Sequence, residues 1–169
     1  MHGASDRLRF MSVQNVMTHD VFCVKGSDRV VDAWLALMEK DFSGAPVLDD
    51  DQKLVGILSV TDIYRAIVGR VAEARAQIQG GGVSPAGETM EEDLSVLTAS
   101  VRTVAESNVS SLLPANLALQ TLGTNDSLDR ALRLVAEKNV NRLPVVKDGR
   151  VVGIITRQDI IEALSGRKR

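Results

Sequence analysis

Two segments of the chain present the same order of residue types. Pro46 is matched by Pro144 at an offset of 98 positions, and Asp62 by Asp159 at an offset of 97. The one-residue difference falls inside a predicted turn. Fixed offsets whose gaps are confined to loops indicate an internal duplication. The chain is therefore predicted to contain two copies of one structural unit.

Each copy reads as strand, helix, strand, strand, helix. In the second copy, two β-branched runs flank Asp148-Gly149, a pair that readily adopts the positive φ angles of a tight hairpin turn. The run after this turn leads into Thr156-x-x-Asp159, a helix-capping pattern that precedes an apolar helical repeat. The predicted strands are 21–24, 45–48 and 54–58 in the first copy, and 117–122, 143–146 and 151–155 in the second.

The helix after the first strand of each copy has one apolar face, which is predicted to be core. The residues of this face are Val30, Ala33, Trp34, Leu37 and Met38 in the first copy, and Leu128, Ala131, Leu132 and Val135 in the second. Ser27-Asp28 and Asn125-Asp126 precede the two helices and are predicted to cap them. Upstream, Val13, Val16 and Met17 match Val109, Leu112 and Leu113 if two residues are inserted before Thr124.

The two repeats are placed at residues 10–69 and 107–165, with a helical and flexible connection at 70–106. A unit of about 60 residues buries only some 60% of its unfolded surface, so the two copies are predicted to pack together. Residues 70–79 are predicted to continue the first copy's last helix, and the glycine-rich stretch 80–88 to be mobile. Thr89-x-x-Glu92 is a possible helix cap. Residues 94–108 show no clear period and receive no assignment.

Composition argues against several classes of protein. A formal net charge of -2 and a pI near 5.7 disfavour nucleic acid or an anionic membrane as partner. The single Cys23 and the lack of a Cys/His cluster disfavour a disulfide or a structural zinc site. The sequence has no apolar run of the roughly 20 residues that span a bilayer, and residues 1–10 lack a signal peptide's apolar core. A cytoplasmic protein is expected.

The duplicated pattern resembles the tandem CBS domain (cystathionine-β-synthase type, or Bateman module). The resemblance lies in a Pro-Val strand, a short turn, Gly-hydrophobic-hydrophobic-Ser/Thr-x-x-Asp and an Ile-rich helix, at about residues 10–69 and 107–165. It implies an α+β fold in which each copy carries a small mixed sheet. Because no separate enzyme or channel segment is left over, it also implies a stand-alone CBS pair.

Members of this family commonly bind adenosine-containing ligands in the clefts between the two repeats and regulate a partner protein. The resemblance therefore implies a non-enzymatic regulatory module and a homodimer, acting on an unknown protein. It implies that the ligand is AMP, ADP or ATP, ahead of S-adenosylmethionine or NAD. No metal is expected, because three consecutive carboxylates at Asp49-Asp50-Asp51 cannot all point at one ion and suit a polar hairpin turn better.

The resemblance also assigns roles to residues. A helix N-terminus offers unpaired amides and a partial positive charge to phosphate. The family pattern gives acceptance of the ribose hydroxyls to the positions of Asp62 and Asp159, and Arg142 matches a phosphate-contacting arginine of the AMP-activated kinase γ subunit. The complete expected set of ligand contacts is Asp159, Thr156, Arg142, Asp62, Ser59, Thr61, Arg157, Thr18, Val21, Ala45, Pro46 and Pro144.

The two copies differ at the predicted sites. Gly44 occupies the position of Arg142, and Val60 that of Arg157, so the first copy lacks both guanidinium groups. The two ligand sites are therefore not expected to be equivalent.

Two other interpretations stay open. Ser/Thr-x-x-Asp is also a plain capping box, which needs no ligand, and Arg142 could be a solvated charge. On that interpretation the chain is a ligand-independent interaction or assembly module. A small hydrolase using Asp62 or Asp159 as base is the third interpretation, against which stands the absence from the sequence of a nucleophile paired with a general base.

Overall fold

The structure of the chain, a computed structural model, describes residues 11–80, 90–114 and 118–165. In chain order, the helices are α1 (Val30–Glu39), α2 (Val60–Gly80), α3 (Met90–Glu106), α4 (Leu128–Lys138) and α5 (Arg157–Ser165), and two short 3-10 turns lie at Val13–Asn15 and Val109–Leu112. The strands are β1 (Val24–Lys25), β2 (Gly44–Leu48), β3 (Leu54–Ser59), β4 (Leu122–Gly123), β5 (Arg142–Lys147) and β6 (Arg150–Thr156).

The strands form two small mixed sheets with the same topology. The strand orders are β1-β2-β3 and β4-β5-β6. In both sheets the first pair is parallel, with Val24 opposite Val47 and Leu122 opposite Val145, and β5 pairs with β6 antiparallel. The predicted α+β class is therefore confirmed, as is the order strand, helix, strand, strand, helix.

The first strand of each copy is shorter than predicted and begins later. β1 and β4 have two residues each, because only two positions of each strand find partners in the neighbouring strand. Val21 instead donates its N–H to the carbonyl of His19 in a turn, at 2.9 Å. The hairpin turn behaves as predicted, since Asp148 and Gly149 have φ values of 50° and 79°.

The prediction that Ser27-Asp28 and Asn125-Asp126 cap the following helices is wrong. The carboxylates instead accept hydrogen bonds from the preceding strand. Oδ2 of Asp28 accepts from the N–H of Lys25 at 2.8 Å, and Oδ2 of Asp126 accepts from the N–H of Gly123 at 2.7 Å. Each aspartate therefore closes the turn between strand and helix. Ser127 is the N-cap of α4, and its hydroxyl accepts from the N–H of Arg130.

The apolar faces of α1 and α4 are largely buried, as expected. Val30, Ala33 and Leu37 are buried on α1, and Leu128, Ala131 and Val135 are buried on α4. Met38 is an exception at 61% exposure, because it follows Leu37 and lies about 100° further round the helix. Trp34 is only partly buried and packs edge-on against Tyr64 at 6.2 Å.

The connection between the repeats is more helical than the sequence indicates. α2 continues to Gly80, as predicted, and α3 fills most of the stretch that received no assignment. Only Ser100 and Val104 of α3 are buried, whereas Leu94 and Leu97 are exposed, so the helix shows no clear apolar period. The predicted mobility of 80–88 and the cap at Thr89 fall almost entirely on residues 81–89, outside the described ranges.

Contacts divide the chain into two compact units that cut across the repeats. Among the described residues, the first unit contains 11–22, 51–54 and 118–165, and the second contains 23–50, 55–80 and 90–114. We call residues 11–18 the first lead segment and residues 107–113 the second lead segment. The first lead segment therefore belongs with the second repeat, and the second lead segment with the first repeat.

Backbone hydrogen bonds attach each lead segment in the same way. In the first unit, the N–H of Val13 donates to the carbonyl of Asp126 at 2.8 Å, and the N–H of Leu128 donates to that of Met11 at 2.9 Å. In the second unit, Val109 donates to Asp28 and Val30 to Ser107, both at 2.9 Å. The predicted match of Val13 with Val109 is thus reproduced in the structure.

A glycine makes room for each lead segment. A Cβ added to Gly153 would overlap the side chain of Met17, and one added to Gly56 would lie 2.6 Å from Cδ1 of Leu113. The matched glycines therefore allow close packing of matched side chains. In the first unit, Met17 joins a buried cluster whose members include Val13, Leu122, Leu128, Ala131, Leu143, Val145, Ile155 and Ile160.

Candidate functional site

The Thr156-x-x-Asp159 junction forms a reciprocal capping box between β6 and α5. Oδ2 of Asp159 accepts from the backbone N–H and from the hydroxyl of Thr156, both at 2.7 Å. In return, Oγ1 of Thr156 accepts from the N–H of Asp159 at 3.2 Å. Asp159 is only 6% exposed. The junction is therefore a rigid strand-to-helix corner with a fixed carboxylate at the start of a helix.

The Ser59-x-x-Asp62 junction has the same geometry between β3 and α2. Oδ2 of Asp62 accepts from the N–H of Ser59 at 3.0 Å and from its hydroxyl at 2.5 Å, and Oγ of Ser59 accepts from the N–H of Asp62 at 3.3 Å. The duplicated pattern in the sequence thus produces a duplicated hydrogen-bond arrangement.

Most of the residues expected to bind ligand at the second-repeat junction lie in the first unit. Arg142 is half-buried and lies opposite Thr156 in the β5–β6 register. Thr18 pairs with Ile154 two residues before that threonine, through two backbone hydrogen bonds of 3.0 Å. The first lead segment therefore reaches the strand that ends at the Thr156–Asp159 box.

Arg157 is the first residue of α5 and is exposed. Its N–H donates to the carbonyl of Asn141 at 3.1 Å, and its Nη2 donates to Oδ1 of Asn139 at 3.3 Å. Its guanidinium therefore lies next to the loop that leads into Arg142. Val60 repeats the backbone contact in the other repeat, donating to Ser43 at 3.1 Å, but brings no charge.

The first-repeat junction contains a charge that the sequence analysis missed. Nη1 of Arg65 lies 3.3 Å from Oδ1 of Asp62. The corresponding position in the second repeat is Glu162, whose Oε1 accepts from Nε2 of Gln158. The i, i+3 spacing of Asp62 and Arg65 was the available signal. The junctions therefore differ in where they hold positive charge: beyond Asp62 in the first, and on the strand and helix start in the second.

The remaining expected residues fall into two groups. Ala45, Pro46 and Pro144 are buried within their strands, so their side chains present little surface, whereas Thr61 is exposed and Val21 is half-buried. Thr18 and Val21 belong to the first unit, and Ala45 and Pro46 belong to the second.

Among the described residues, Cys23 and Arg29 lie away from the junctions and have shifted pKa values. Burial raises the pKa of the Cys23 thiol, which favours the unreactive protonated form. The hydrogen bond from Arg29 to Asp32 raises the pKa of that guanidinium. Within the described ranges, no helix is long and apolar enough to cross a membrane.

Comparison with known proteins gives consistent relatives. The family model of the CBS domain matches residues 13–69 and 109–166. An uncharacterized protein of Methanocaldococcus jannaschii, MJ1426, is 31% identical over 164 aligned positions, gaps included, in an alignment that covers 91% of each chain. The chloroplastic CBS domain-containing protein CBSX1 of Arabidopsis thaliana is 32% identical over 177 aligned positions, gaps included, in an alignment that covers 99% of this chain and 70% of that protein.

Solved structures of CBS domain proteins share the fold of this chain. The crystal structure of CBSX2 in complex with AMP superimposes with a TM-score of 0.64 at 27% identity, covering 94% of this chain and 98% of that one. MJ1225 of Methanocaldococcus jannaschii, described as a putative archaeal homolog of g-AMPK, gives a TM-score of 0.70 at 19% identity, which shows a shared fold. The superposition covers 95% of this chain and 50% of MJ1225. The chain belongs to the CBS domain family and carries that domain as a tandem pair.

Proposed function

We propose that this chain binds AMP, ADP or ATP at the Thr156–Asp159 junction and reports the bound ligand to a partner protein, without catalysing a reaction on it. The observation that carries the proposal is Arg142 lying opposite Thr156 in the strand register, beside the start of α5. A guanidinium, the start of a helix and a carboxylate are thus brought to one corner of the first unit.

The chemistry of this corner suits a nucleotide. The N–H groups of Arg157 and Asp159 at the start of α5 already donate within the chain. Phosphate is therefore favoured by the positive dipole end of the helix and by the guanidinium fork of Arg142, with Arg157 next to it. A carboxylate repels phosphate but accepts the hydroxyl hydrogens of a ribose, which is the role proposed for Asp159. The AMP bound by CBSX2 supports an adenine nucleotide as the ligand class.

The first-repeat junction is proposed to bind more weakly or to prefer a different ligand. Its Ser59–Asp62 box is complete, but Gly44 and Val60 stand where Arg142 and Arg157 stand in the other repeat. The nearby Arg65 contacts Asp62 itself, with its side chain 76% exposed. A charge that exposed and already paired adds little attraction for phosphate.

Signalling requires that the ligand prefer one conformation of the chain. A ligand shifts a conformational equilibrium only by the difference between its affinities for the two states. The first lead segment is hydrogen-bonded to β6 immediately before the Thr156–Asp159 box. We therefore propose that this segment moves when the ligand binds. We further propose that the chain acts as a homodimer on a regulated protein.

A ligand-independent assembly module is the rival function. One observation favours it: each box is hydrogen-bonded within itself, between its hydroxyl and its carboxylate. Capping accounts for Ser/Thr-x-x-Asp without any nucleotide.

Thermal unfolding of nucleotide-free protein against AMP, ADP and ATP tests the proposal. A ligand at about 100 times its dissociation constant adds roughly 2.7 kcal/mol, which raises the midpoint by about 5 to 10 °C for a chain of this size. Arg142→Gln is expected to weaken binding about 10- to 100-fold, because a charge-assisted hydrogen bond is lost. Arg150→Gln, at the other end of the same hairpin, is the matched control and should bind as the wild type does.

The assembly module replaces our proposal if none of the three nucleotides moves the midpoint of protein that carried no nucleotide at purification. The proposal also requires that ATP be recovered unchanged after incubation with the protein.

Alanine at either aspartate is expected to lower stability whether or not a ligand binds. Asp159→Ala and Asp62→Ala each remove the acceptor of two hydrogen bonds at a helix start, a loss that costs about 0.5 to 2 kcal/mol. Urea titration of unliganded protein measures this cost. If Asp159→Ala unfolds as the wild type does, the box contributes nothing to stability. Because the cap and the ligand contact are confounded at Asp159, Arg142→Gln is the cleaner test of binding.

A further inference from the structure

The outer side of α3 carries a groove that the nucleotide site does not use. α3 packs on α1 and α2 through the stripe that contains Ser100 and Val104. On its opposite side lies a shallow, open groove of about 610 Å³. Its lining includes Glu91, Leu94, Ser95, Thr98, Ala99 and Arg102. Leu94 is 61% exposed there, and Met90, at the start of the helix, is 88% exposed.

This face of α3 carries one acidic and one basic residue, spaced so that two antiparallel copies of the helix would pair them. Glu91 and Arg102 are eleven positions apart, which is three turns and about 16.5 Å along a helix, so both lie on one line of α3. Among the described residues, neither takes part in an ion pair. A second α3 laid antiparallel across this line would place each Glu91 opposite an Arg102.

The residues between the two charges permit close approach. In that register Ser95 faces Thr98 of the second copy, and Leu94 faces Ala99, so a large side chain meets a small one. The hydroxyl of Thr98 already donates to the carbonyl of Leu94 at 2.8 Å. Burying Thr98 therefore leaves no unsatisfied donor, which would otherwise oppose association.

We infer that this groove takes the α3 helix of a second copy of the chain, antiparallel, with the two-fold axis between Val96 and Leu97. Such a contact is isologous, so each interface contains the Glu91–Arg102 pair twice. The inference rests on the proposed homodimer and supplies its surface, but it does not depend on nucleotide binding.

Charge reversal tests the contact in the full-length chain. Sedimentation equilibrium at low ionic strength, where charges are least screened, gives the dimer dissociation constant. Arg102→Glu alone and Glu91→Arg alone are each expected to raise that constant at least tenfold, because like charges then face each other twice. The double variant Glu91→Arg/Arg102→Glu restores opposite charges and is expected to return to within about threefold of the wild type.

Arg150→Glu is the matched control, since it makes the same charge change at an exposed position outside the groove. It should leave the dissociation constant within about twofold of the wild type. A wild-type dimer that neither single reversal weakens, or a double variant as weak as the singles, overturns this surface while the homodimer stands. A wild type that stays monomeric overturns both, and the nucleotide melts remain an independent result.

Discussion

Alanine in place of Ile160 is expected to lower the free energy of unfolding by about 2 to 5 kcal/mol. Ile160 is 1% exposed and packs in the core of the first unit, directly after Asp159. Removing its outer carbons leaves a cavity that the surrounding cluster fills only in part. The midpoint of thermal unfolding should fall by roughly 4 to 20 °C for a chain of this size.

The neighbouring residue provides a matched control. Ile161 has the same side chain on the same helix but is 53% exposed, so Ile161→Ala should change stability by less than about 0.5 kcal/mol. Urea titration of both variants gives the comparison. Equal losses for the two would mean that α5 does not pack on the first unit through the Ile160 side.

Gly153→Ala is expected to lower the free energy of unfolding by about 1 to 3 kcal/mol, the usual cost of overpacking a filled core. The added methyl group would occupy space held by the buried side chain of Met17. The first lead segment must then shift away from β6, or Met17 must leave its rotamer. Chemical denaturation measures the loss.

A double-mutant cycle attributes this cost to one contact. In a Met17→Ala background the space beside Gly153 is open, so Gly153→Ala should cost little, and the two substitutions should be coupled by about 0.5 to 3 kcal/mol. Gly69→Ala is the opposite control. Gly69 lies inside α2 with no atom within 4 Å of an added Cβ, so alanine should stabilise the chain by about 0.5 to 1 kcal/mol. Additive effects of Gly153→Ala and Met17→Ala would contradict the packing of the first lead segment on β6.

Features with a local cause could be predicted from the sequence. The Asp148-Gly149 turn depends on positive φ at two adjacent residues, which few other pairs adopt. The capping boxes depend on a hydroxyl and a carboxylate three positions apart. The repeat itself is visible because Pro46 and Pro144 and the two aspartates keep their spacing.

Features decided by packing could not be predicted. A hydrophobic pattern shows that Val13 and Val109 are buried but not against which repeat, so the exchange of lead segments stays hidden. In the sequence, the positions of Asp28 and Asp126 suit a cap of the following helix as well as a turn after the preceding strand, and only the folded structure shows that they bond to the strand. α3 buries too narrow a stripe to give a period.

The candidate site, too, was predictable only where its features have a local cause. The two boxes follow from the repeat, and Thr18 joins Thr156 and Asp159 in one unit. The position of Arg65 against Asp62, by contrast, depends on a side-chain conformation that repeat matching does not reveal.

The attachment of each lead segment to the other repeat bears on how the chain arose. A single repeat on its own would present a sheet without the segment that completes it, and would carry a segment without a sheet. Two molecules of such a repeat could exchange these segments and so form a domain-swapped dimer. If two such molecules are joined end to end, the exchange of lead segments takes place within one chain. Once joined, the two copies are free to diverge, as Gly44 and Arg142 have done.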